Sequence, residues 1–214
     1  MKNWPTQQAI RQLVSQINVA ATEYKKNLVG NTFLYYFEGR YIEVLYRSKD
    51  FAHLTGVGTS LSAADLYKEA IRGTLQDTQI SFSQRHPYKL SVRKLSHLLQ
   101  LSKITTSPIF LLEDLSTATA SFKFGITELN CTLCLDHDLD SEGIPKSDML
   151  IAKSLRDEDS FNRAVGAYEV NMIFKKPNSA KLYACCTFND DKVNINDLPE
   201  EVLQKVDLSS LTYE

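Results

Sequence analysis

Close to position 105, this chain of 214 residues changes from a part that contains several helical patterns to a part made of strand patterns. Before that position, three segments have apolar residues at three- and four-residue steps, as on one face of an amphipathic helix. After it, six short segments rich in β-branched and aromatic residues follow one another, with only turn-forming residues between them. Successive strands without intervening helices favour antiparallel pairing. We therefore predict an α+β fold in which a single curved antiparallel β-sheet packs against N-terminal helices, within one domain spanning residues 1–214.

The periodic pattern predicts helices at residues 7–26, 62–73 and 91–103. Ser62 and Asp65 have capping-box spacing before the second helix, and Gly73 ends it. Residues 32–48 are predicted to form a hairpin around a central Glu-Gly-Arg turn. In residues 51–57 apolar side chains alternate with others, as in a strand or an extended loop. The remaining elements, six strands and a short terminal helix, are expected at residues 107–115, 119–129, 130–139, 146–155, 167–176, 181–188 and within 194–211.

The two halves of the chain carry opposite charge, although the whole is nearly neutral. The formal net charge is −2, but residues 1–104 contain 14 Lys and Arg against 7 Asp and Glu, and residues 105–214 contain 10 against 19. Because salt screens charges beyond about 10 Å, a basic half can offer a local phosphate-binding face in a neutral protein. The acidic half instead favours contacts with another protein. RNA binding and protein binding are therefore both open.

Several classes of protein are excluded by what the sequence lacks. No apolar run approaches the roughly 18 residues that span a membrane, and the first residues lack the basic and apolar regions of a signal peptide. We therefore expect a cytoplasmic protein without membrane contacts. The motifs of nucleotide-binding loops, serine hydrolases and zinc proteases are also missing, and nothing indicates DNA binding.

Two groups of potential metal ligands are incomplete. Cys131 and Cys134 form a CxxC pair, but no second pair or nearby histidine motif completes a zinc site. Cys185 and Cys186 are adjacent and would point to opposite faces of a strand. The acidic stretch at 136–142 lacks the glycine and the final glutamate of a calcium loop. We expect reduced cysteines, a solvated acidic loop, and a protein that needs neither metal nor cofactor.

The segment from Phe51 to Val57, FAHLTGV, carries the sharpest indication of chemistry. A histidine and a threonine just before a break in the chain can present an imidazole and a hydroxyl at one end of a sheet, as acid–base chemistry on a phosphodiester requires. In an extended segment His53 and Thr55 lie on the same side. The structural alternative is a histidine hydrogen-bonded to a backbone carbonyl in a strand-to-helix corner, and the residues alone leave both possibilities open.

Three stretches of sequence, in order, resemble one known family: KDFAHLTGV at 49–57, SAADLYKEAIRGTL at 62–75 and RKLSHLLQL at 93–101. With the aromatic hairpin before them, they resemble the phage-associated nucleases of the barnase, EndoU, colicin and RelE superfamily, specifically its fourth phage family. The similarity runs from the first helix to about Lys176. Members of the family are small antiparallel-sheet proteins with N-terminal helices, found in phage and mobile-element settings and inferred to be metal-independent ribonucleases.

This resemblance implies a barnase/RelE-like fold and cleavage of RNA, in which a base deprotonates the 2′-hydroxyl for attack on the adjacent phosphate. It also implies roles for particular residues. His53 would be the general base or acid, and Thr55 would orient the phosphate or the imidazole. Lys94, with Arg93, would neutralise the charge that grows on the phosphate oxygens, and Ser154 would hydrogen-bond the phosphate.

Other cations are candidates for binding rather than catalysis. Lys68 and Arg72 lie four residues apart on one helix face, which can follow a phosphate backbone or simply be solvated. Residues 85–89 mix cations with an aromatic, which is compatible with stacking on an unpaired base, and we assign them no role. We expect His53 and Lys94 to meet in one cleft. RNA is the expected partner of an active, toxin-like enzyme, whereas a catalytically inactive module on the same scaffold would bind an antitoxin or a phage or host protein.

Overall fold

The computed structural model describes residues 4–117 and 120–214, and in it both halves of the chain contribute strands to one large sheet. The helices are α1 (Gln7–Asn27), α2 (Phe51–Thr55), α3 (Ala63–Arg72), α4 (Tyr88–Leu98) and α5 (Glu200–Leu203). The strands are β1 (Asn31–Phe37), β2 (Arg40–Leu45), β3 (Gly58–Thr59), β4 (Ile80–Ser81), β5 (Phe110–Ser116), β6 (Ser121–Thr127), β7 (Thr132–Leu139), β8 (Pro145–Arg156), β9 (Gly166–Glu169), β10 (Met172–Pro177), β11 (Cys185–Asn189) and β12 (Thr212–Tyr213).

The sheet is mostly antiparallel, and the predicted α+β class is confirmed. Its ten strands lie in the order β12-β11-β10-β1-β2-β8-β7-β6-β5-β9 within the described part of the chain. Two neighbouring pairs, β2 with β8 and β11 with β12, are parallel, which the sequence did not predict. A second sheet, formed by β3 and β4 alone, was also unpredicted. Position 119, where one predicted strand begins, lies outside the described residues.

The predicted hairpin is confirmed as β1 and β2. Glu38 and Gly39 connect the two strands with φ values of +44° and +74°. Positive φ at both central residues is the geometry of a turn whose twist matches that of the flanking strands. The segment predicted as one strand at 167–176 is instead divided: Val170 and Asn171 separate β9, at one edge of the sheet, from β10 beside β1.

Helices α1, α3 and α4 pack their apolar faces into the main core. Their buried side chains include Ile17 of α1, Leu66 of α3 and Leu95 of α4, each fully buried. The ends of α3 follow the predicted capping: Ser62 Oγ accepts a hydrogen bond from the Asp65 N–H, and Gly73 takes the left-handed conformation. Helix α4 begins three residues before its predicted start. It ends at Leu98, and a 3-10 turn covers residues 101–105.

The prediction of an extended segment at 51–57 is wrong, because residues 51–55 form the short helix α2. Phe51, Leu54 and Thr55 are buried at three- and four-residue steps, which a helix places on one face. Gly56 ends the helix with φ +73°. In a helix, residues two apart point in nearly opposite directions, so His53 and Thr55 do not share a side.

Helix α5 lies within the predicted terminal region, after a 3-10 turn at Ile195–Asp197. Its Val202 is fully buried and belongs to a second apolar cluster with Leu34 of β1 and Phe174 of β10. Within the described residues, none of the helices combines the length and the apolar composition needed to cross a membrane.

Candidate active site

A cleft of about 350 Å³ opens between α2, α3 and α4 on the helical side of the protein. It is lined by Ala52, His53, Gly56, Val57, Gly58, Thr59, Leu61, Ala63, Arg85, His86, Leu90 and Lys94. The polar groups among these are two imidazoles, one ammonium, one guanidinium and one hydroxyl. No carboxylate of the described residues is part of the lining, although the chain as a whole is slightly acidic. The cleft is therefore electrostatically suited to an anion.

His53 reaches this cleft from the last turn of α2. Its side chain is exposed, and no hydrogen bond or ion pair holds it among the residues that the structure describes. The structural alternative, an imidazole buried against a backbone carbonyl, is therefore not what is found. An exposed imidazole can exchange a proton directly with a bound ligand, which acid–base catalysis requires.

Gly56 contacts both His86 and Lys94, the other two principal side chains of the cleft. Its carbonyl oxygen accepts a hydrogen bond from Ser91 Oγ at 3.1 Å and lies 3.2 Å from His86 Nδ1. Because a carbonyl can only accept, Nδ1 carries the proton in this contact. The neutral ring of His86 then has its lone pair on Nε2. Gly56 thereby fixes the tautomer of His86.

Lys94 lies across the same glycine. A Cβ built on Gly56 would be 2.8 Å from Lys94 Cδ, so the alkyl stem of the lysine occupies the space that a side chain would fill. Burial, and secondarily the charge of Arg156, lower the pKa of the Lys94 ammonium below its usual value. Among the described residues Lys94 forms no ion pair. No carboxylate of these residues therefore pairs with its charge.

Arg85 and His86 belong to a loop that is held by its own hydrogen bonds. The Ser83 hydroxyl accepts from the backbone N–H groups of both residues at 3.2 Å, and the Ser83 N–H donates to the His86 carbonyl at 3.0 Å. Pro87 then leads directly into α4. Neither Arg85 nor His86 was predicted to lie in the cleft. The sequence offered one signal for His86: this histidine lies two positions before the first residue of α4 and outside any periodic pattern of apolar residues.

Thr55 does not reach the cleft, contrary to the expectation based on an extended segment. It is fully buried, its hydroxyl donates to the Ala52 carbonyl at 2.8 Å, and it accepts from the Val57 N–H at 3.3 Å. These two bonds close the end of α2. Thr55 therefore supports the helix that carries His53.

Arg93 and Ser154 also lie outside the lining of the cleft. Arg93 Nε is 3.0 Å from Asp157 Oδ2, and the same carboxylate is 2.8 Å from His97 Nε2. Ser154 lies in β8, opposite Cys134 of β7. The structure thus brings His53 and Lys94 to one cleft. Thr55, Arg93 and Ser154 lie outside its lining.

Lys68 and Arg72 lie on the exposed face of α3, whose first residue, Ala63, is part of the cleft wall. Neither cation forms an ion pair with another described residue. Both residues lie closer to the C-terminal end of α3 than Ala63, and neither lines the cleft.

The cysteines show no feature of a reactive or metal-binding site. Burial raises the pKa of the Cys131 thiol to about 12 and that of Cys134 to about 11, so both stay protonated at neutral pH. Within residues 4–117 and 120–214, no three His, Cys, Asp or Glu side chains are grouped so that they could hold a metal ion.

The fold and the cleft together define a class of protein, one in which helices beside a mixed sheet form a cleft lined by histidines and cations. The chain belongs to the family described as phage-Barnase-EndoU-ColicinE5/D-RelE like nuclease4, which matches residues 16–192, most of its length. This confirms the resemblance seen in the sequence. The matched range includes His53, His86 and Lys94. No curated protein and no solved structure shows significant similarity to the chain.

Proposed function

We propose that this protein is a metal-independent ribonuclease of phage or mobile-element origin, and that it cleaves RNA in the cleft between α2, α3 and α4. The observation that carries the proposal is the composition of the cleft: two histidines, a lysine and an arginine, with no carboxylate among its described lining residues. Phosphodiester cleavage without a metal needs two proton-transfer groups and a cation close to one phosphate. Membership in a nuclease family supports the same conclusion.

The two histidines would divide the proton transfers between them. With its Nδ1 proton directed at the Gly56 carbonyl, the neutral ring of His86 offers Nε2 as the base that removes the proton of the 2′-hydroxyl. The 2′-oxygen then forms a bond to phosphorus while the bond from phosphorus to the 5′-oxygen breaks. His53 in its protonated form would give its proton to the departing 5′-oxygen. The products are a 2′,3′-cyclic phosphate and a 5′-hydroxyl, and His86 has gained the proton of the 2′-hydroxyl while His53 has given its own to the 5′-oxygen.

Lys94 and Arg85 would stabilise the negative charge that develops on the non-bridging oxygens. The Lys94 ammonium suits this role because its stem packs against Gly56 and no carboxylate competes for its charge among the described residues. Lys68 and Arg72, exposed along α3, would attract the phosphates that flank the scissile bond.

The proposal is tested by expressing the intact chain in a bacterium and following growth and RNA integrity. The wild type should stop growth and fragment RNA, and His53→Ala should restore both. Lys192→Ala serves as a matched control, because it removes an exposed cation outside the cleft and should remain toxic. A harmless wild type with intact RNA would overturn the proposal and favour an inactive module that acts through an antitoxin or a phage or host protein.

A further inference from the structure

A second concavity lies directly beside the candidate active site and is mainly apolar. This aromatic groove has a volume of about 510 Å³ and is lined by Trp4, Pro5, Phe82, Ser83, Gln84, Pro87, Tyr88 and Lys89. The rings of Phe82 and Tyr88 are 5.2 Å apart and perpendicular, so they brace each other. Trp4 is 66% exposed, an unusual position for the largest apolar side chain.

The groove and the cleft lie on opposite sides of one short loop. Ser83, Gln84 and Pro87 line the groove, whereas Arg85 and His86 line the cleft. The loop is narrow, because the Ser83 N–H and the His86 carbonyl oxygen are only 3.0 Å apart. A ligand with its phosphate beside His86 can therefore extend across the loop into the groove.

The chemistry of the groove selects its occupant. Its one charged described side chain is Lys89, and Arg85 lies on the adjoining loop, so the route between the two sites is cationic. An exposed indole beside two half-buried rings, next to a cationic path, can bind an unpaired base by stacking while its phosphates stay in the charged channel. A protein segment would use the aromatic rings but would have no need for a path that leads to a phosphate site.

We infer that the aromatic groove is a nucleobase subsite, in which a base adjacent to the scissile phosphate stacks on Trp4 and Tyr88. This inference rests on the proposed ribonuclease function and assigns its substrate class, which is single-stranded RNA. Duplex RNA keeps its bases stacked inside the helix and cannot place one in the groove. The subsite thus restricts cleavage to loops and unpaired ends.

Trp4 makes the inference directly measurable, because it is the only tryptophan of the chain. A 2′-O-methylated tetranucleotide cannot be cleaved and should quench the fluorescence of Trp4 on binding. The same backbone without bases should bind at least tenfold more weakly and leave the fluorescence unchanged. Tyr88→Ala should weaken binding of the base-bearing oligonucleotide by about tenfold. Trp4→Ala, followed by anisotropy of a labelled oligonucleotide, should do the same, and because Trp4 is exposed this variant leaves the core intact.

Tyr213→Ala is the matched control, since Tyr213 is 63% exposed and lies in the edge strand β12, outside both sites. It should change neither quenching nor affinity. Equal binding of the two oligonucleotides without quenching, in a protein that cleaves RNA, would overturn the subsite and leave the ribonuclease standing. Quenching without cleavage would support the subsite and overturn the enzyme. Neither binding nor cleavage would overturn both, and would make the groove a face for a protein partner.

Discussion

Adding one methyl group at Gly56 is expected to disturb the cleft without unfolding the protein. Gly56 has φ +73°, and an alanine in this left-handed region costs about 1–2 kcal/mol. The new Cβ would also lie 2.8 Å from Lys94 Cδ. Nonbonded carbon atoms prefer a separation of about 3.5–4.0 Å, so the stem of Lys94 must move by about 1 Å. The lysine is flexible and can yield, which keeps the cost in stability close to that of the backbone strain alone.

The cost in activity should be much larger. A displacement of about 1 Å in a group that contacts the reacting phosphate can lower the rate by about 100-fold. Gly73→Ala is a matched control, because Gly73 has φ +71° and no atom lies within 4 Å of a Cβ built there. Both variants should lose similar stability in urea denaturation. Only Gly56→Ala should lose about 100-fold in single-turnover cleavage of a fluorescent oligoribonucleotide.

A double-variant experiment isolates the cause. In a protein that already carries Lys94→Ala, the added methyl group at Gly56 has no side chain to displace, so cleavage should fall no further than in Lys94→Ala alone. Equal cleavage rates for Gly56→Ala and Gly73→Ala, at equal stability, would refute the reasoning that Gly56 positions Lys94.

Three further outcomes are expected from neighbouring residues. The lowered pKa of Lys94 means that its ammonium loses its proton at a lower pH than an ordinary lysine. Activity should therefore fall at a lower alkaline pH than an ordinary lysine would give. Lys94→Arg should move that limb of the pH–rate profile to higher pH. Asp50→Ala removes the carboxylate 2.7 Å from the half-buried Arg47, which keeps Asp138 as a second partner, and should lower the free energy of unfolding by about 2 kcal/mol in thermal or urea denaturation. Thr55→Val should lower the free energy of unfolding by about 1 kcal/mol, and Ser154→Ala should lower it very little. Both variants should still cleave RNA in initial-rate assays, because neither side chain lines the cleft.

The parts of the fold that were predicted correctly depend on local rules. Ser62 and Gly73 mark the ends of α3 through capping, and the Glu38-Gly39 pair marks the turn between β1 and β2 through its positive φ values. Each of these signals acts within a few residues. They can therefore be read from the sequence without knowing what the segment packs against.

The parts that were missed depend on distant contacts. Leu150 of β8 pairs in parallel with Val44 of β2, about a hundred positions earlier, and no local pattern specifies such a neighbour. The segment at 51–57 fits both a strand and one helical turn, and the burial of Phe51 and Leu54 against the core decides for the helix.

The candidate site was predicted in part for the same reason. His53 and Lys94 were identified through motifs that also carry the family resemblance, and both line the cleft. His86 was missed because its position in the cleft depends on the loop that turns it toward Gly56, 30 positions earlier in the chain. Thr55 was assigned to the cleft because its side was inferred from an extended backbone that the protein does not adopt.

The chemistry proposed for the cleft is tested most directly by the end groups that the purified protein leaves on RNA. A single-stranded oligoribonucleotide incubated with excess chelator should yield fragments with a 2′,3′-cyclic phosphate and a 5′-hydroxyl in mass spectrometry. His53→Ala and His86→Ala should each remove these products. Fragments with 5′-phosphate ends, cleavage only when a divalent metal is added, or unchanged products from both histidine variants would contradict acid–base catalysis by His53 and His86.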